Sequence, residues 1–209
     1  RNLFFTYISD INEIKLYDKQ GDKMNNYILI AGVNGTGKSS LRGVLEGQNV
    51  LLGHIIDADV IAKENNFDNI KAGKKAIEEI DYCLDNNISF TQETTLAGHR
   101  TVRTIKQARK QGYYVTMYYV GLNSMEESIN RIANRVRKGG HNIPSDDVKR
   151  RFDRRIKSLE SVLPLCDEVI FYDNENGFVK VAEIKNNKFQ YSNGYKPQWI
   201  VSYKNALNL

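Results

Sequence analysis

The chain has 209 residues, of which 41% are hydrophobic and 26% charged, and its formal net charge is +5. This length and balance indicate one globular domain and leave little room for a second core. No apolar run approaches the roughly 20 residues that a membrane-spanning helix needs, and residues 1–15 lack the features of a signal peptide. We therefore expect a cytoplasmic protein with no membrane partner. The two cysteines and three histidines show no metal-ligand spacing, which argues against a structural metal site.

The sequence pattern divides the chain into an N-terminal extension of uncertain role, residues 1–23, and a single domain, residues 24–209. In the domain, short apolar runs alternate with amphipathic segments, which predicts strands separated by helices. The predicted strands are 27–31, 54–57, 88–92, 113–120 and 168–172, the predicted helices are 38–45, 70–86, 99–111, 124–136 and 144–163, and a hairpin with a short helix covers about 178–206. We therefore expect an α/β fold with a mostly parallel central sheet and helices on both faces.

The first predicted strand is followed by GVNGTGKS at residues 32–39, which fits the phosphate-binding pattern G-x-x-x-x-G-K-[ST] at every position. Glycines let successive backbone N–H groups turn towards phosphate oxygens, and the helix that follows places its positive end beneath them. Lys38 can reach the β- and γ-phosphates, and the Ser39 hydroxyl can ligate Mg²⁺. We predict a three-layer P-loop NTPase fold with ATP and Mg²⁺ as cofactors. The predicted nucleotide ligands of the loop are Asn34, Gly35, Thr36, Gly37, Lys38, Ser39 and Ser40.

Acidic residues follow the second predicted strand and the third. In a parallel sheet the carboxyl ends of the strands face the nucleotide crevice, so Asp57 and Asp59 should approach the phosphate-binding loop. One of these carboxylates can hold a magnesium-bound water while the other accepts a proton from the attacking hydroxyl. Glu93 and Thr94 should reach the same crevice, where a carboxylate can orient the substrate or a water on the metal.

A basic region covers residues 131–155, which contain nine Lys or Arg residues. Arg131 and Arg135 lie one turn apart on one predicted helix, and Arg150 and Arg154 repeat that spacing on the next. The connection between the helices, KGGHNIP, is flexible and basic. We expect an arginine-bearing helical lid over the triphosphate, because guanidinium groups bind phosphate oxygens in a bidentate manner. The apolar stripe predicted for the first helix of the lid is Met125, Ile129, Ile132 and Val136.

Five segments in this order give the chain a family resemblance: AGVNGTGKSS, IDADVIA, QETTLAGHR, RIANRVRKGGHNIPSDDVKRRFDRR and FYDNENG. Together they resemble the zeta toxin family of P-loop kinases in its compact stand-alone form. The resemblance implies a kinase that phosphorylates a UDP-N-acetyl-sugar and that an antitoxin protein blocks. The chain departs from the family at His141, near which the toxins place an arginine.

The resemblance also implies roles for individual residues. Lys38 and Ser39 bind nucleotide and magnesium, and Asp59 matches the carboxylate that deprotonates the acceptor hydroxyl. Glu93 matches an acid of the substrate site, and Arg131 matches an active-site arginine. With the sequence pattern, this predicts catalytic roles for Asp59, Lys38, Arg131 and Arg135, nucleotide contact by Arg154, substrate contacts by Glu93, Thr94 and His141, and metal ligation by Ser39 and Asp57.

The sequence leaves three functions open. The first is a small-molecule kinase, which the absence of a guanine-reading N-K-x-D motif and of a long strand ending in paired acids favours. The second is a polynucleotide 5′-hydroxyl kinase, which the basic surplus would suit, although no DNA- or RNA-binding motif accompanies it and nucleic acid is therefore the weaker expectation. The third is a nucleotide-binding regulator that hydrolyses ATP slowly.

Overall fold

The computed structural model describes residues 24–64, 68–140 and 142–209. The predicted N-terminal extension and His141 lie outside the described residues. Within them, the strands are β1 (Asn26–Ala31), β2 (His54–Ile56), β3 (Phe90–Thr94), β4 (Tyr114–Val120), β5 (Glu168–Asp173), β6 (Val179–Lys185) and β7 (Lys188–Tyr191). They form one sheet in the order β2-β3-β1-β4-β5-β6-β7. The first five strands of this order are parallel, and β6 and β7 are antiparallel additions at one edge.

Helices connect the parallel strands, and one more helix follows β7. They are α1 (Lys38–Gly47), α2 (Ala58–Glu64), α3 (Asn69–Asp85), α4 (Arg100–Lys110), α5 (Met125–Arg137), α6 (Ser145–Val162) and α7 (Gln198–Ala206), with a 3₁₀ turn at Leu163–Leu165. None of these helices, within the described ranges, has the length and apolar character required to cross a membrane.

Side chains of β1 alternate between two hydrophobic cores, as the two-residue period of a strand requires. Tyr27 and Leu29 pack into the larger core, to which α3, α4, α6 and α7 contribute. Ile28 and Ile30 pack into a smaller core with Leu41 of α1. The sheet is therefore covered on both faces, which confirms the predicted three-layer arrangement.

Strand β3 begins and ends two residues later than the sequence predicts. The register pairs Ile30 with Glu93 and Ala31 with Thr94, so β3 continues past its apolar part along the full length of β1. Pairing with the neighbouring strand outweighs the polarity of these residues. Glu93 and Thr94 therefore belong to the strand itself rather than to the loop after it.

The apolar stripe predicted for α5 is wrong at one position. Ile129 is exposed, whereas Ser128 is buried together with Ile132. Ser128 faces inwards because its Oγ donates a 2.6 Å hydrogen bond to the carbonyl oxygen of Asn34. A polar contact with the phosphate-binding loop, rather than an apolar one, sets the rotation of this helix. Ser124 caps α5, since its side chain accepts a hydrogen bond from the backbone N–H of Glu127.

Helix α7 lies against the backbone at the end of β4. A Cβ atom on Gly121 would lie 2.3 Å from the Trp199 ring, so only glycine allows the indole to lie this close. The indole Nε1 donates a 2.7 Å hydrogen bond to Oδ1 of the buried Asp173, the last residue of β5. The C-terminal helix is thereby tied to the residue that precedes Asn174.

Candidate active site

The phosphate-binding loop connects β1 to α1, next to the centre of the sheet. Two of its glycines are required by their surroundings. Gly35 and Gly37 have φ angles of 76° and 95°, in the region that favours glycine. A Cβ atom at Gly35 would lie 2.8 Å from the carbonyl oxygen of Ser128, and one at Gly37 would lie 2.5 Å from Asn174 Nδ2. The loop is therefore held closely by α5 on one side and by the β5–β6 connection on another.

Lys38 lies inside this loop. Its Nζ donates a 3.2 Å hydrogen bond to the carbonyl oxygen of Val33. Burial lowers the pKa of the Lys38 ammonium, while the carboxylates of Glu93, Asp59 and Asp57 act in the opposite direction. These three acids therefore lie in the electrostatic neighbourhood of the lysine, as the prediction of a shared crevice requires.

Three side chains that the sequence analysis did not single out hold the phosphate-binding loop. Besides Ser128, Arg151 Nη1 donates a 3.0 Å hydrogen bond to Asn34 Oδ1. Asn174 Nδ2 donates a 2.9 Å hydrogen bond to the carbonyl oxygen of Thr36. The contacts come from α5, α6 and the β5–β6 connection. The sequence signals were present but general: Arg151 belongs to the basic run and Asn174 to the segment FYDNENG.

Arg131 links helix α5 to the β5–β6 connection. Its Nη2 atom donates to Glu127 Oε1 at 2.5 Å and to the carbonyl oxygen of Asn174 at 2.6 Å. Arg131 and Arg135 also line a cleft of about 370 Å³ on one face of α5. The remaining lining residues are Asn134, Lys138 and Gly140. The cleft is basic and adjoins the phosphate-binding loop through Arg131. Its Cβ lies 3.4 Å from the point that a Cβ atom at Gly35 would occupy.

The two other predicted lid arginines lie on the surface of α6. Arg150 is exposed and pairs with Asp147 at 2.9 Å, and Arg154 is exposed. Arg151, one residue further along α6, is the arginine that contacts the loop in this structure. The one-turn spacing of arginines is present, but on a helix a shift of one residue turns a side chain by about 100°. Nucleotide contact by Arg154 stays a prediction.

A compact cluster of polar side chains lies where α1 begins and where β2 and β3 end. Ser39 Oγ donates a 2.9 Å hydrogen bond to Glu93 Oε2. Arg42 Nη1 donates to Glu93 Oε1 at 3.0 Å and lies 3.4 Å from Asp57 Oδ2. Asp57 and Glu93 are buried. Because β3 lies between β1 and β2, the ends of all three strands converge at this point.

Burial raises the pKa of Glu93 to about 7, and the neighbouring Asp57 carboxylate adds to the increase. Hydrogen bonding from Ser39 and the positive charges of Arg42 and Lys38 oppose it. Two buried carboxylates close together disfavour each other's charge, and a cation between them relieves this. In this cluster Arg42 is that cation, since its Nη1 contacts both carboxylates.

Oxygen donors of Ser39, Glu93 and Asp57 suit Mg²⁺, which proteins bind through one or two carboxylates together with substrate phosphates. Within the described residues, no group of three or more His, Cys, Asp or Glu side chains is arranged to hold a metal ion. A cluster of two carboxylates and a hydroxyl therefore fits a metal that arrives with phosphate oxygens. Glu93, predicted as a substrate contact, contacts the predicted metal ligand Ser39.

The remaining predicted residues lie around this cluster. Asp59 is exposed in the first turn of α2, and its backbone N–H donates a 2.9 Å hydrogen bond to Asp57 Oδ1. Asp57 thus caps α2 in addition to contacting Arg42. Thr94 Oγ1 accepts a 3.0 Å hydrogen bond from the backbone N–H of Leu96, which shapes the turn after β3. Ser40 is exposed on α1. The predicted roles of these residues remain predictions.

Comparison with known proteins gives matches in sequence and in fold. The model of the zeta toxin family matches residues 68–186 of this chain. An uncharacterised protein of Haemophilus influenzae is 38% identical over 133 residues, which are 61% of this chain and 93% of the relative. The region that matches the family model includes the strand of Glu93, helices α5 and α6 and the β5–β6 connection.

Two solved structures share the fold at low sequence identity. The AvrRxo1-ORF1:-ORF2 structure with ATP has a TM-score of 0.62 at 13% identity and covers 88% of this chain and 76% of the other. A structure from the PezAT chromosomal toxin-antitoxin system of Streptococcus pneumoniae has a TM-score of 0.59 at 18% identity and covers 95% and 90%.

Proposed function

The chain belongs to the zeta toxin family of P-loop kinases, and from this premise we propose that it moves the γ-phosphate of ATP onto a hydroxyl group of a small molecule. The observation that carries the proposal is the convergence of the Ser39–Glu93–Arg42–Asp57 cluster on the phosphate-binding loop that holds Lys38. A site that transfers a phosphoryl group needs groups that bind the phosphates, oxygen ligands for a metal ion and a base, all within one crevice. The described residues offer side chains for each task.

Binding of the triphosphate is assigned to the loop and to the basic helices. Backbone N–H groups of the loop and the Lys38 ammonium would bind phosphate oxygens, and the start of α1 would add its positive dipole end. Arg131 and Arg135 line the adjoining cleft and supply the positive charge that stabilises the transferring phosphoryl group. Arg151 keeps Asn34 oriented within the loop.

Ser39, with Glu93 and Asp57, would hold Mg²⁺. When bound, the ion neutralises charge on the β- and γ-phosphates. Asp59 is the proposed base: it is exposed at the start of α2, where an incoming hydroxyl can reach its carboxylate. Its neighbour Asp57 is buried and already engaged by the α2 N–H groups and by Arg42, which leaves Asp59 the more accessible of the two.

For the acceptor we propose a UDP-N-acetyl-sugar, with Glu93 and Thr94 on the acceptor side of the crevice and His141 as a further contact. The family membership supports this choice. Since the Streptococcus pneumoniae structure comes from a toxin-antitoxin system, an antitoxin protein is the proposed macromolecular partner. A cytoplasmic location, where ATP is available, completes the proposal.

The test is transfer of label from γ-labelled ATP to a panel of UDP-sugars, simple sugars, nucleosides and oligonucleotides. Asp59→Asn is the critical variant, and Asp85→Asn, at the exposed end of α3, is the matched control. Label on a UDP-sugar that is lost only in Asp59→Asn supports the proposal. Label on oligonucleotide 5′ ends would instead identify a polynucleotide kinase. Slow release of free phosphate, equal in all three proteins, would point to a regulator and contradict the kinase mechanism.

A further inference from the structure

Arg42 joins the two buried carboxylates beside the phosphate-binding loop. It lies on α1 one turn after Ser39, and the same atom, Nη1, is 3.0 Å from Glu93 Oε1 and 3.4 Å from Asp57 Oδ2. The Arg42 side chain is 23% exposed, against 8% for Asp57 and 5% for Glu93. The guanidinium is thus the more exposed member of a group whose acids are almost fully buried.

Each acid divides its two oxygens between Arg42 and another partner. Glu93 directs Oε1 to Arg42 and Oε2 to the Ser39 hydroxyl. Asp57 directs Oδ2 to Arg42 and Oδ1 to the backbone N–H of Asp59. Because both oxygens of each acid are engaged, the contact with Arg42 fixes the rotation of both carboxylate groups relative to Ser39.

The formal charges around this point cancel. When both acids are ionised, Asp57 and Glu93 contribute two negative charges, and Arg42 and Lys38 contribute two positive charges. A free divalent cation would therefore meet little net attraction, and Mg²⁺ gives up its hydration shell reluctantly. Phosphate groups of a nucleotide change this balance, because they bring both negative charge and oxygen ligands.

We propose that Arg42 is a positioning residue and the resident counter-cation of this acid pair, and that it makes divalent-cation binding depend on nucleotide. The inference rests on the metal site of the proposed function. Without the guanidinium, two carboxylates remain beside the Ser39 hydroxyl against the single positive charge of Lys38, and this set of oxygens attracts a free cation. Loss of Arg42 should therefore increase metal affinity in the absence of nucleotide. An ion pair that only stabilises the fold predicts no increase.

The experiment is a titration of the full 209-residue chain with Mn²⁺, followed by electron paramagnetic resonance of the free ion, with and without ATP. Wild-type protein should bind Mn²⁺ weakly alone and more tightly with ATP, after subtraction of the Mn²⁺ that the same concentration of ATP binds without protein. Arg42→Gln should bind Mn²⁺ alone about tenfold more tightly than wild type, as expected from removal of one unit charge a few ångströms away. Arg42→Lys keeps the charge and should behave as wild type.

Two further variants test whether the change in Mn²⁺ affinity comes from the acid pair itself or from the loss of any positive charge. Arg100→Gln also removes a positive charge, but from an exposed ion pair with Asp81, and should leave Mn²⁺ affinity unchanged. In the double variant Arg42→Gln/Glu93→Gln the added affinity should disappear, because one of the two carboxylates is gone. A gain shared by Arg100→Gln, or a gain that survives in the double variant, overturns the inference.

Equal Mn²⁺ affinity of nucleotide-free wild type and folded Arg42→Gln also overturns it. Circular dichroism reports whether each variant folds. If Arg42→Gln does not fold, the wild-type titration decides by itself, since equally tight Mn²⁺ binding with and without ATP contradicts the inference. The titration of nucleotide-free protein requires no phosphate transfer. A protein without kinase activity could therefore still pass or fail this test, and the two results are distinguishable.

Discussion

Asn174 and Thr36 are 138 residues apart in sequence and are joined by a 2.9 Å hydrogen bond from the Asn174 amide to the Thr36 carbonyl oxygen. The carbonyl oxygen of Asn174 also accepts from Arg131. One residue of the β5–β6 connection therefore contacts both the phosphate-binding loop and the first helix of the predicted lid. The position of this connection affects how both of them face a nucleotide.

Replacing Asn174 should weaken nucleotide binding without unfolding the protein. Asn174→Ala removes the side-chain contact with Thr36 but keeps the backbone carbonyl that Arg131 uses. A hydrogen bond of this kind contributes about 1 kcal/mol, which corresponds to about a fivefold higher KM for ATP. Steady-state kinetics give KM and kcat separately. Asn176→Ala, in the same connection and exposed, is the matched control and should leave KM unchanged; an equal rise in both variants would contradict the assignment.

Arg151 and Arg154 should differ in their effect on ATP binding, although they lie three residues apart on α6. Arg151→Ala frees the Asn34 side chain and removes a charge beside the loop, so we expect about a tenfold higher KM for ATP, since hydrogen bonds to charged groups contribute about 1.5–3 kcal/mol. Arg154→Ala alters an exposed side chain and should change KM less than about twofold. A larger effect of Arg154→Ala would support the original sequence prediction of nucleotide contact by that residue.

Substitutions at Asp57 and Asp59 should have different effects, one mainly on protein stability and the other on phosphate transfer. Asp57→Ala removes the cap of α2 and should lower the free energy of unfolding by about 1–2 kcal/mol. Asp57→Asn keeps a capping oxygen and should recover most of this loss. Asp59→Ala, at an exposed position, should change stability by less than about 0.5 kcal/mol.

Urea denaturation measures these differences, and the transfer assay completes the comparison. Loss of transfer in Asp59→Ala at unchanged stability fits a base. If Asp59→Ala instead unfolds as readily as Asp57→Ala, the residue has a structural role that its exposure does not suggest.

Both cysteines should react slowly with thiol reagents in the folded protein. Burial raises the pKa of Cys83 to about 11 and that of Cys166 to about 12, above the ordinary value of about 8.5. The thiolate is the reactive form, so at pH 8 labelling should be at least about a hundredfold slower than in the unfolded chain. Because the pH lies below both pKa values, raising it by one unit should speed labelling about tenfold. Labelling at the unfolded rate in native buffer would contradict both pKa directions.

The fold could be predicted from sequence because its signals are local. The strand before the phosphate-binding loop, the loop itself and the cap at Ser124 each depend on residues close together in the chain. The same holds for the grouping of Asp57 and Glu93, since parallel strands bring their carboxyl ends to one edge.

The contacts between distant parts of the chain could not be predicted in this way. Arg42 carries no motif, and only the order of the strands brings it near acids 15 and 51 residues away. The choice of Arg151 over Arg154 depends on the rotation of α6 against the loop. Ile129 was misassigned because apolarity alone does not reveal that Ser128 has a hydrogen-bond partner in the loop. In each case the deciding atom belongs to another element of the fold.

Trp199 gives the chain an internal optical reporter. It is the one tryptophan in the sequence, and its indole N–H is held by Asp173, directly before the residue that contacts the phosphate-binding loop. Excited selectively over the 12 tyrosines, tryptophan fluorescence therefore arises from a single, buried position whose hydrogen-bond partner Asp173 directly precedes Asn174. A shift in the emission on adding ATP would register movement of the β5–β6 connection without any attached dye, and Asn174→Ala should diminish it.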